Sequence, residues 1–262
     1  MSSEQGKDLA VVIMAAGKGK RMGNPDLAKV LTLLHGKPLL QYVVDQASSL
    51  KPARVVVVVG HQHMAVREFV TSRYPNATCV LQSEQLGTGH AVQQAESEID
   101  AALANVLILS GDVPLLTSTT LGELLDHHLE HDAMLTVLST TVPDPTGYGR
   151  IIRDSSGALQ SIIEQKDASP QQAAVNEINS GVYIVRAQPL FDALDRVRNA
   201  NAQNEYYLTD IVGILKSEHA RVEAFYTSRS EEVHGINTAE DLARASVLLQ
   251  SCLLYTSDAA DE

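Results

Sequence analysis

The stretch VVIMAAGKGKRMG, Val11–Gly23, joins an apolar run to a turn that is crowded with glycine and positive charge. The run Leu9–Met14 is continuous and rich in Val and Ile, which is typical of a strand buried on both faces of a parallel sheet. Glycine lets the backbone of the turn approach an anion closely and direct its N–H groups toward it. The stretch therefore predicts an α/β sheet whose first strand ends at a phosphate-binding loop.

The glycine spacing of this turn differs from two well-known phosphate-binding fingerprints. GKGKRMG reads Gly-x-Gly-x-x-x-Gly, whereas dinucleotide domains use Gly-x-Gly-x-x-Gly and P-loops place Lys-Ser/Thr directly after the final glycine. The cations Lys18, Lys20 and Arg21 lie inside the turn, and Lys29 lies beyond it. Several cations suit a highly charged ligand such as a triphosphate, or charge that develops during a reaction. A solvated basic loop is the alternative interpretation.

The same alternation of apolar runs and amphipathic stretches continues through the first half of the chain. The predicted strands are Leu9–Met14, Val55–Val59, Thr78–Leu81 and Val106–Leu109, and the predicted helices are Pro38–Ser49, Met64–Arg73 and Gly89–Glu98. Alternating strands and helices are the pattern of βαβ units, so we expect a doubly wound, three-layer domain.

The second half is less regular and contains the Pro- and Gly-rich loop PDPTGYGRI. Its predicted helices are Thr117–His131, Gln188–Arg198, Leu208–Ser217 and Ala239–Gln250, the last with Asn237 or Thr238 as N-cap. Its predicted strands are Met134–Thr140, Val222–Tyr226 and short strands at Ile151, Leu159–Glu164 and Gly181–Val185. We expect the short strands to be antiparallel and partly outside the main sheet.

Composition limits the classes of function. The net charge of −12 over 262 residues argues against non-specific nucleic-acid binding. No apolar run approaches the ~20 residues of a membrane span and the N-terminus does not resemble a signal peptide, so the cytoplasm is the expected compartment. The two cysteines offer neither metal spacing nor a disulfide framework. His61 with His63, and the group His127, His128 and His131, have ligand-like spacing, but we expect no zinc site and an exposed helix face for the latter group.

Nine strings occur in order between Leu9 and Gln250: MAAGKGKRM, AKVL, LQSEQLGTGHA, SGDVPLL, DPTGYGRI, EQKDA, EINSGVY, NEYYLTDI and HGIN. Together they resemble the uridyltransferase domain of the bacterial bifunctional N-acetylglucosamine-1-phosphate uridyltransferase/glucosamine-1-phosphate acetyltransferase family. The resemblance implies a Rossmann-like nucleotidyltransferase fold, a three-layer sandwich with a mostly parallel mixed sheet and a small β-rich sugar-binding subdomain. It also implies UTP and N-acetylglucosamine 1-phosphate as substrates, Mg2+ as cofactor, UDP-N-acetylglucosamine and pyrophosphate as products, and a role in cell-envelope precursor synthesis.

The resemblance further divides the chain. Residues 1–238 are expected to form the nucleotidyltransferase domain, and residues 239–250 a linker helix toward an acetyltransferase domain that is missing here. Residues 251–262 resemble a translated sequencing adapter and are expected to be non-biological. Family members trimerise through the acetyltransferase β-helix, so a chain without it is expected to be a monomer.

In the implied reaction the acceptor phosphate is already an anion, so the site needs cations, a metal ligand and positioning groups, and no general base. The resemblance assigns catalytic roles to Arg21 and Lys29, and metal ligation to Asp112 and Asn237. Asp112 also follows a buried strand, where ligands of α/β sheets bind. The family has Pro where this chain has Ala28, and its loop is about one residue shorter at Asn24–Pro25.

The substrate-binding positions fall into three groups. Lys18 and the backbone of the glycine-rich turn are expected to hold the triphosphate. The amide side chain of Gln82, with Gly87 and Thr88 after it, is expected to recognise uracil and ribose. The irregular second half of the chain is expected to bind the sugar. The full set is Ala15, Ala16, Gly17, Lys18, Gly19, Gln82, Gly87, Thr88, Gly149, Glu164, Asn179 and Asn237. Tyr206 and Tyr207, in NEYYLT, are expected either to contact the ligand or to lie in the core.

Two alternatives stay open at this point. The same fold could transfer a nucleotide with a different base to another sugar phosphate or to a cofactor precursor. The chain could also be a binding or regulatory relative without turnover. The amide of Gln82 and the string EINSG favour the uridyltransferase interpretation.

Overall fold

The computed structural model describes residues 8–19, 27–100 and 103–258, with side chains as far as Gln250. The strands are β1 (Leu9–Ala15), β2 (Leu33–Leu34), β3 (Lys37–Pro38), β4 (Arg54–Val59), β5 (Ala77–Leu81), β6 (Asn105–Ser110), β7 (Leu135–Thr141), β8 (Arg150–Arg153), β9 (Leu159–Ile163), β10 (Glu177–Arg186) and β11 (Val222–Tyr226). The helices are α1 (Leu39–Ser49), α2 (His63–Arg73), α3 (Thr88–Gln93), α4 (Ser118–Glu130), α5 (Pro170–Ala173), α6 (Ala187–Leu194), α7 (Asp210–Ser217) and α8 (Ala239–Asp258).

The main sheet has the strand order β11-β7-β10-β6-β1-β4-β5. Strand β1 is an interior strand and pairs in parallel with β4 and β6. Strand β10 runs antiparallel between β6 and β7, which makes the sheet mixed. The predicted α/β class with a mostly parallel mixed sheet is therefore confirmed.

Both faces of the sheet are buried, as the apolar run at the start of the chain predicts. Along β1, Ala10 and Val12 pack against one core with α3, α6 and α7, whereas Val11 and Ile13 pack on the other face with α1, α2 and α4. Successive side chains of a strand point to opposite faces, so one strand can contribute to both cores. The carboxyl end of β1 is consequently held in a rigid position in the middle of the sheet.

Strand β10 is twice as long as the predicted strand Gly181–Val185, because it begins at Glu177. Its register with β7 shifts between Asn179 and Tyr183, and Gly181 inside this irregularity has φ +81°. The hairpin β8–β9 is antiparallel, as expected, and meets β10 at the pair Ile178–Arg150. Both halves of β10 pair with β7, whereas the other edge of β10 meets β8 before the bulge and β6 after it.

Helix ends differ from the sequence expectations by several residues. The stretch Gly89–Glu98 forms α3 followed by a 3-10 turn at Glu96–Glu98, and α6 ends at Leu194. Thr238 is the N-cap residue before α8, because its hydroxyl accepts the Asp241 N–H at 3.1 Å. Helix α8 continues to Asp258 and so crosses the expected boundary after Gln250. Within the residues described, each helix is too short or too polar to cross a lipid bilayer.

The expectation that the three histidines of α4 and its C-cap lie on an exposed face is wrong. His128 is fully buried, with its ring nitrogens 2.9 Å from Thr136 Oγ1 and 3.1 Å from Asn105 Oδ1. The ring of His127 stacks on that of His131 at a centroid distance of 3.9 Å. Burial lowers the pKa of His128 to about 4, so this side chain is a neutral link between α4, β6 and β7.

Candidate active site

A cavity of about 300 Å³, the Lys29 cavity, opens where β1 and β6 end. Ligand sites of α/β sheets lie at the carboxyl ends of the strands, where successive loops meet. The residues that line the Lys29 cavity are Met14, Ala15, Ala16, Gly17, Lys29, Val30, Gln82, Gln85, Gly87, Thr88, Ala91, Ser110, Asp112 and Glu205. The structure thus brings together at one cavity most of the positions expected to bind a nucleotide.

Lys29 joins this cavity to two other predicted residues. Its ammonium donates to a carboxylate oxygen of Asp112 and, at 2.9 Å, to Oδ1 of Asn237. These partners are 83 and 208 residues away along the chain. The Lys29 side chain is 12% exposed, so water screens this charge cluster only weakly.

The backbone before Lys29 has a conformation that proline, expected at position 28 from the resemblance, can also adopt. Ala28 is buried and has φ −58° and ψ 129°, which is the extended conformation that a proline would impose. Its carbonyl accepts the Leu31 N–H at 2.8 Å and so starts the 3-10 turn Lys29–Leu31. Alanine thus occupies a backbone conformation that is compatible with proline.

The glycine-rich turn approaches Lys29 closely. Gly19 has φ +58°, and a Cβ at that position would lie 2.6 Å from the Cβ of Lys29. Ala16 is buried, its carbonyl accepts the His61 N–H at 3.2 Å, and Lys18 is exposed beside it. Arg21, Lys20 and the segment Asn24–Pro25 lie outside the described residues.

The amide of Gln82 lies at the opposite wall of the Lys29 cavity and is 3% exposed. Its Nε2 donates to the Gly87 carbonyl at 3.1 Å and lies 3.1 Å from Nδ1 of His90. Because Nε2 is engaged with the protein, Oε1 is the half of the amide that a ligand can use. The side chain is therefore fixed in one orientation before any ligand binds.

The segment that contains Gly87 and Thr88 is hydrogen-bonded to a distant part of the chain. Tyr206 accepts the Gly89 N–H at 2.8 Å and donates its own N–H to Leu86 at 2.7 Å, and Leu208 donates its N–H to Thr88 Oγ1 at 3.0 Å. Gly87 has φ +116°, and a Cβ there would lie 2.6 Å from the Tyr206 carbonyl oxygen. The close crossing therefore requires glycine at this position.

The predicted sugar-binding residues do not line the Lys29 cavity. Glu164 lines a separate cavity of about 380 Å³, the Glu164 cavity, and accepts a hydrogen bond from Thr209 Oγ1 at 3.2 Å. Burial raises the pKa of the Glu164 carboxyl. Gly149 and Asn179 pair through a backbone hydrogen bond of 2.9 Å. A Cβ at Gly149 would lie 3.2 Å from Cγ2 of Ile162, so the backbone approaches its neighbours closely there.

The tyrosines of NEYYLT divide between two environments. Tyr207 is buried, lines the Glu164 cavity and donates its hydroxyl to Asp167 at 3.2 Å. Tyr206 packs against the core, and its backbone is hydrogen-bonded to the Gly87 segment. Both have structural contacts, and Tyr207 also faces a cavity.

Sequence reasoning missed a chain of polar side chains on the far side of Asn237. The Tyr148 hydroxyl lies 3.1 Å from Nδ1 of His234, and His234 Nε2 lies 3.9 Å from Asp241. Asp241 in turn accepts the N–H groups of Asn237 and Thr238 at 2.8 and 2.9 Å. Tyr148 and His234 do lie inside the strings GYGR and HGIN, but nothing in the sequence pairs residues 86 positions apart.

A cluster of classical metal ligands is absent from the described parts of the chain, since three or more His, Cys, Asp or Glu side chains nowhere come together around one point there. The cation that Asp112 and Asn237 contact is the Lys29 ammonium. A metal at this position would be held by one carboxylate and one amide oxygen, with the remaining ligands coming from substrate or water.

Comparison with known proteins places the chain in a family. Residues 11–198 match the MobA-like NTP transferase domain. The bifunctional protein GlmU of Exiguobacterium sibiricum is 45% identical over 239 residues, which cover 91% of this chain and 52% of that protein. The bifunctional protein GlmU of Desulfotalea psychrophila is 42% identical over 237 residues, which cover 90% of this chain and 69% of that protein. The chain thus spans about half the length of most curated relatives it matches.

A solved structure supports the fold assignment. The crystal structure of UDP-glucose pyrophosphorylase complexed with UDP-glucose superimposes with a TM-score of 0.76 at 18% identity, over 92% of this chain and 98% of that one. At this identity the likeness concerns the fold alone. Taken with the matched domain and the ordered motifs, it leads to one conclusion: the chain belongs to the MobA-like NTP transferase family, and the resemblance to the bifunctional uridyltransferases is confirmed.

Proposed function

We propose that this chain transfers the uridylyl group of UTP to N-acetylglucosamine 1-phosphate, giving UDP-N-acetylglucosamine and pyrophosphate. The observation that carries the proposal is the convergence of Lys29, Asp112 and Asn237 beside the Lys29 cavity, whose opposite wall holds the amide of Gln82. A charge cluster suits phosphate groups, and a side-chain amide held in one orientation beside it suits the hydrogen-bonding edge of a base, so the two together suit a nucleoside triphosphate. The relatives named bifunctional protein GlmU support the same choice.

The proposed step is an in-line displacement at the α-phosphorus of UTP. An oxygen of the acceptor phosphate forms a bond to that phosphorus, and the bond to the β-phosphate bridging oxygen breaks as pyrophosphate leaves with the electron pair. The acceptor oxygen is already ionised near neutral pH, so no proton has to be removed. The protein's task is to hold two repelling polyanions in line, and Lys29, Lys18 and Arg21 supply positive charge for it.

Base recognition is assigned to the Gln82 wall of the cavity. With Nε2 held by Gly87 and His90, Oε1 can accept the imide N–H of uracil. A cytosine ring presents an acceptor at the equivalent nitrogen and would leave two acceptors facing each other, which is costly in a buried site. The orientation of one buried amide thus favours uracil over cytosine.

The proposal includes a Mg2+ ion held by Asp112 and Asn237. The fit rests on their chemistry, since one carboxylate oxygen and one amide oxygen already converge on a single cation, and hard oxygen ligands suit Mg2+. Such an ion, when bound, neutralises phosphate charge in the transition state. Asp241 holds the backbone of Asn237 through the N–H groups of residues 237 and 238, which fixes the far ligand.

The remaining parts of the proposal concern the acceptor and the setting of the protein. Glu164, Asn179 and Gly149 are assigned to hydroxyl and N-acetyl groups of the sugar, with residues 1–238 as the catalytic domain and residues 239–250 as a linker helix. We place the reaction in the cytoplasm, in the supply of cell-envelope precursors.

The direct test is release of pyrophosphate by the purified chain with UTP, N-acetylglucosamine 1-phosphate and Mg2+. Asp112→Ala should lower the rate on the order of a thousandfold, because it removes the carboxylate that would hold the Mg2+ ion, whose charge stabilises the transition state. Asp192→Ala, on the surface of α6, is the matched control and should keep the wild-type rate. Normal turnover by Asp112→Ala would contradict the assigned role.

Competition separates this function from its alternatives. With UTP, TTP, CTP and GTP present together, the product should carry uridine in large excess over cytidine. A preference for another base would favour a related nucleotidyltransferase. Tight UTP binding without pyrophosphate release would favour a binding relative.

A further inference from the structure

The Lys29 ammonium occupies the point between the two residues assigned to hold the metal. It contacts the Asp112 carboxylate and lies 2.9 Å from Oδ1 of Asn237. Both side chains of the ion pair are largely buried, with exposures of 12% for Lys29 and 20% for Asp112. The ligand-free protein therefore compensates the Asp112 charge with its own cation, which avoids a half-buried unpaired carboxylate.

Two cations cannot share this position. A divalent ion bound to the same carboxylate and amide oxygens would meet the ammonium at contact distance, and screening is weak in a largely buried site. The lysine must therefore leave when the metal enters. The Gly19 backbone lies beside the stem of the lysine, since a Cβ on Gly19 would come 2.6, 3.3 and 3.4 Å from Lys29 Cβ, Cγ and Cδ. The end of the side chain therefore has more room to move than the stem.

We propose that Lys29 is the resident counter-ion of the metal site in the ligand-free protein, and that metal binding displaces its ammonium into the Lys29 cavity, where it meets the substrate phosphates. This inference rests on the proposed Mg2+ site. The stem stays against Gly19 and the terminal torsions change. Lys29 and Asp112 both line the cavity, so the displaced ammonium has a short path to it. Metal entry thus delivers a second cation to the place where phosphates bind.

The first test measures Mn2+ binding to the ligand-free full chain by calorimetry, without any turnover. Lys29→Met removes the competing ammonium while keeping the stem, so its Kd for Mn2+ should be at least tenfold lower than that of the wild type. Lys37→Met is the matched control, since Lys37 is exposed in β3 and lies 5.7 Å from the Tyr42 ring, and its Kd should stay within twofold. An equal or weaker affinity in Lys29→Met would overturn the proposal.

A second measurement follows the lysine itself in the wild type. Reductive methylation with mass spectrometry should label Lys29 slowly in metal-free protein, because its ammonium is paired and largely buried. Saturating Mg2+ should raise the Lys29 labelling rate several-fold and leave that of Lys37 unchanged. A Lys29 rate that does not respond, at Mg2+ concentrations shown to bind, would overturn the proposal.

The two proposals can fail separately. If Lys29→Met binds Mn2+ more tightly and Asp112→Ala abolishes that binding, the counter-ion role stands even if no uridylyl transfer is found. If uridylyl transfer is found and Mn2+ affinity is insensitive to Lys29, the counter-ion role fails and the enzyme activity stands. Circular dichroism melts of each variant establish that the compared proteins are folded.

Discussion

The Lys29 cavity is built mainly from segments that follow parallel strands, whereas the Glu164 cavity is built from β9, the connection between α6 and α7, and α7 itself. In the first, each loop starts at a strand whose end is fixed by the sheet. In the second, three segments meet that are positioned by side-chain packing and polar contacts. The Lys29 cavity is therefore held mainly by the sheet ladder, and the Glu164 cavity by tertiary contacts.

The segment Asn204–Leu208 links the two cavities. Glu205 lines the Lys29 cavity, Tyr207 lines the Glu164 cavity, and the backbone between them is hydrogen-bonded to the Gly87 segment. Substitutions in one cavity should therefore act mainly on one substrate. Substitutions where the Gly87 segment contacts Asn204–Leu208 should have the largest effects.

The largest effect is expected from Gly87→Ala. The substitution strains a residue at φ +116° and pushes a methyl group against the Tyr206 backbone, each at about 1–3 kcal/mol. UTP affinity, measured by calorimetry, should fall about a thousandfold. Gly213→Ala is the control, because Gly213 lies inside α7 with open space around it, and alanine there should stabilise the helix by about 1 kcal/mol. Equal UTP affinity in Gly87→Ala and wild type would show that the contact between the Gly87 segment and Tyr206 does not matter for nucleotide binding.

Lowering the pH is expected to reduce the stability of the whole fold, and so to affect both cavities equally. The folded pKa of His128 is about 4 and lies below its unfolded value of 6.5, so its contribution to stability is complete above pH 6.5 and is lost as the pH falls toward 4. The loss amounts to roughly 3 kcal/mol in the free energy of unfolding. Urea unfolding at pH 7.5 and 4.5 should show this slope in the wild type and a smaller one in His128→Gln. The same slope in both proteins would show that His128 is not the group responsible.

A smaller and one-sided effect is expected from Glu164→Gln. The carboxylate is a stronger hydrogen-bond acceptor than the amide, so KM for the acceptor should rise about tenfold while KM for UTP stays within twofold. Because burial raises the Glu164 pKa, acidification should raise the acceptor KM more in the wild type than in the variant, since the acceptor phosphate is protonated with both proteins but the Glu164 carboxylate only in the wild type. Glu130→Gln, at the exposed end of α4, is the control. A parallel rise in both KM values would mean that the two cavities do not act separately.

The sequence predicts the Lys29 cavity well for a physical reason. Gln82 lies one residue after β5, Asp112 lies two residues after β6, and Ala16 and Gly17 follow β1 directly, so strand ends alone place them at one edge. Asn237 is different, because the resemblance carries its assignment and it lies 208 positions from Lys29 along the chain, so only the folded chain brings the two together.

The errors have identifiable causes. The first half of β10 is polar, and it becomes a strand through contacts such as the Ser180 hydroxyl to the Leu138 carbonyl at 2.7 Å and the Glu177 pair with Arg153. Such contacts leave no apolar pattern in the sequence. The burial of His128, in contrast, is visible in the sequence, because His128 continues the apolar stripe of Leu121, Leu124 and Leu125 at helical spacing. At such a position the helical spacing predicts burial better than the polarity of the side chain does.

The attachment of the β8–β9 hairpin has a consequence for how such proteins diverge. In the described part of the chain the hairpin joins the main sheet through the pair Ile178–Arg150, beyond the bulge of β10. In the described residues β1, β4 and β6 pair with one another, with β5 and with β10, and the hairpin pairs with none of these three strands. If the hairpin forms part of the acceptor site, as proposed, remodelling this one appendage would change the sugar preference while the strands behind the Lys29 cavity keep their pairing.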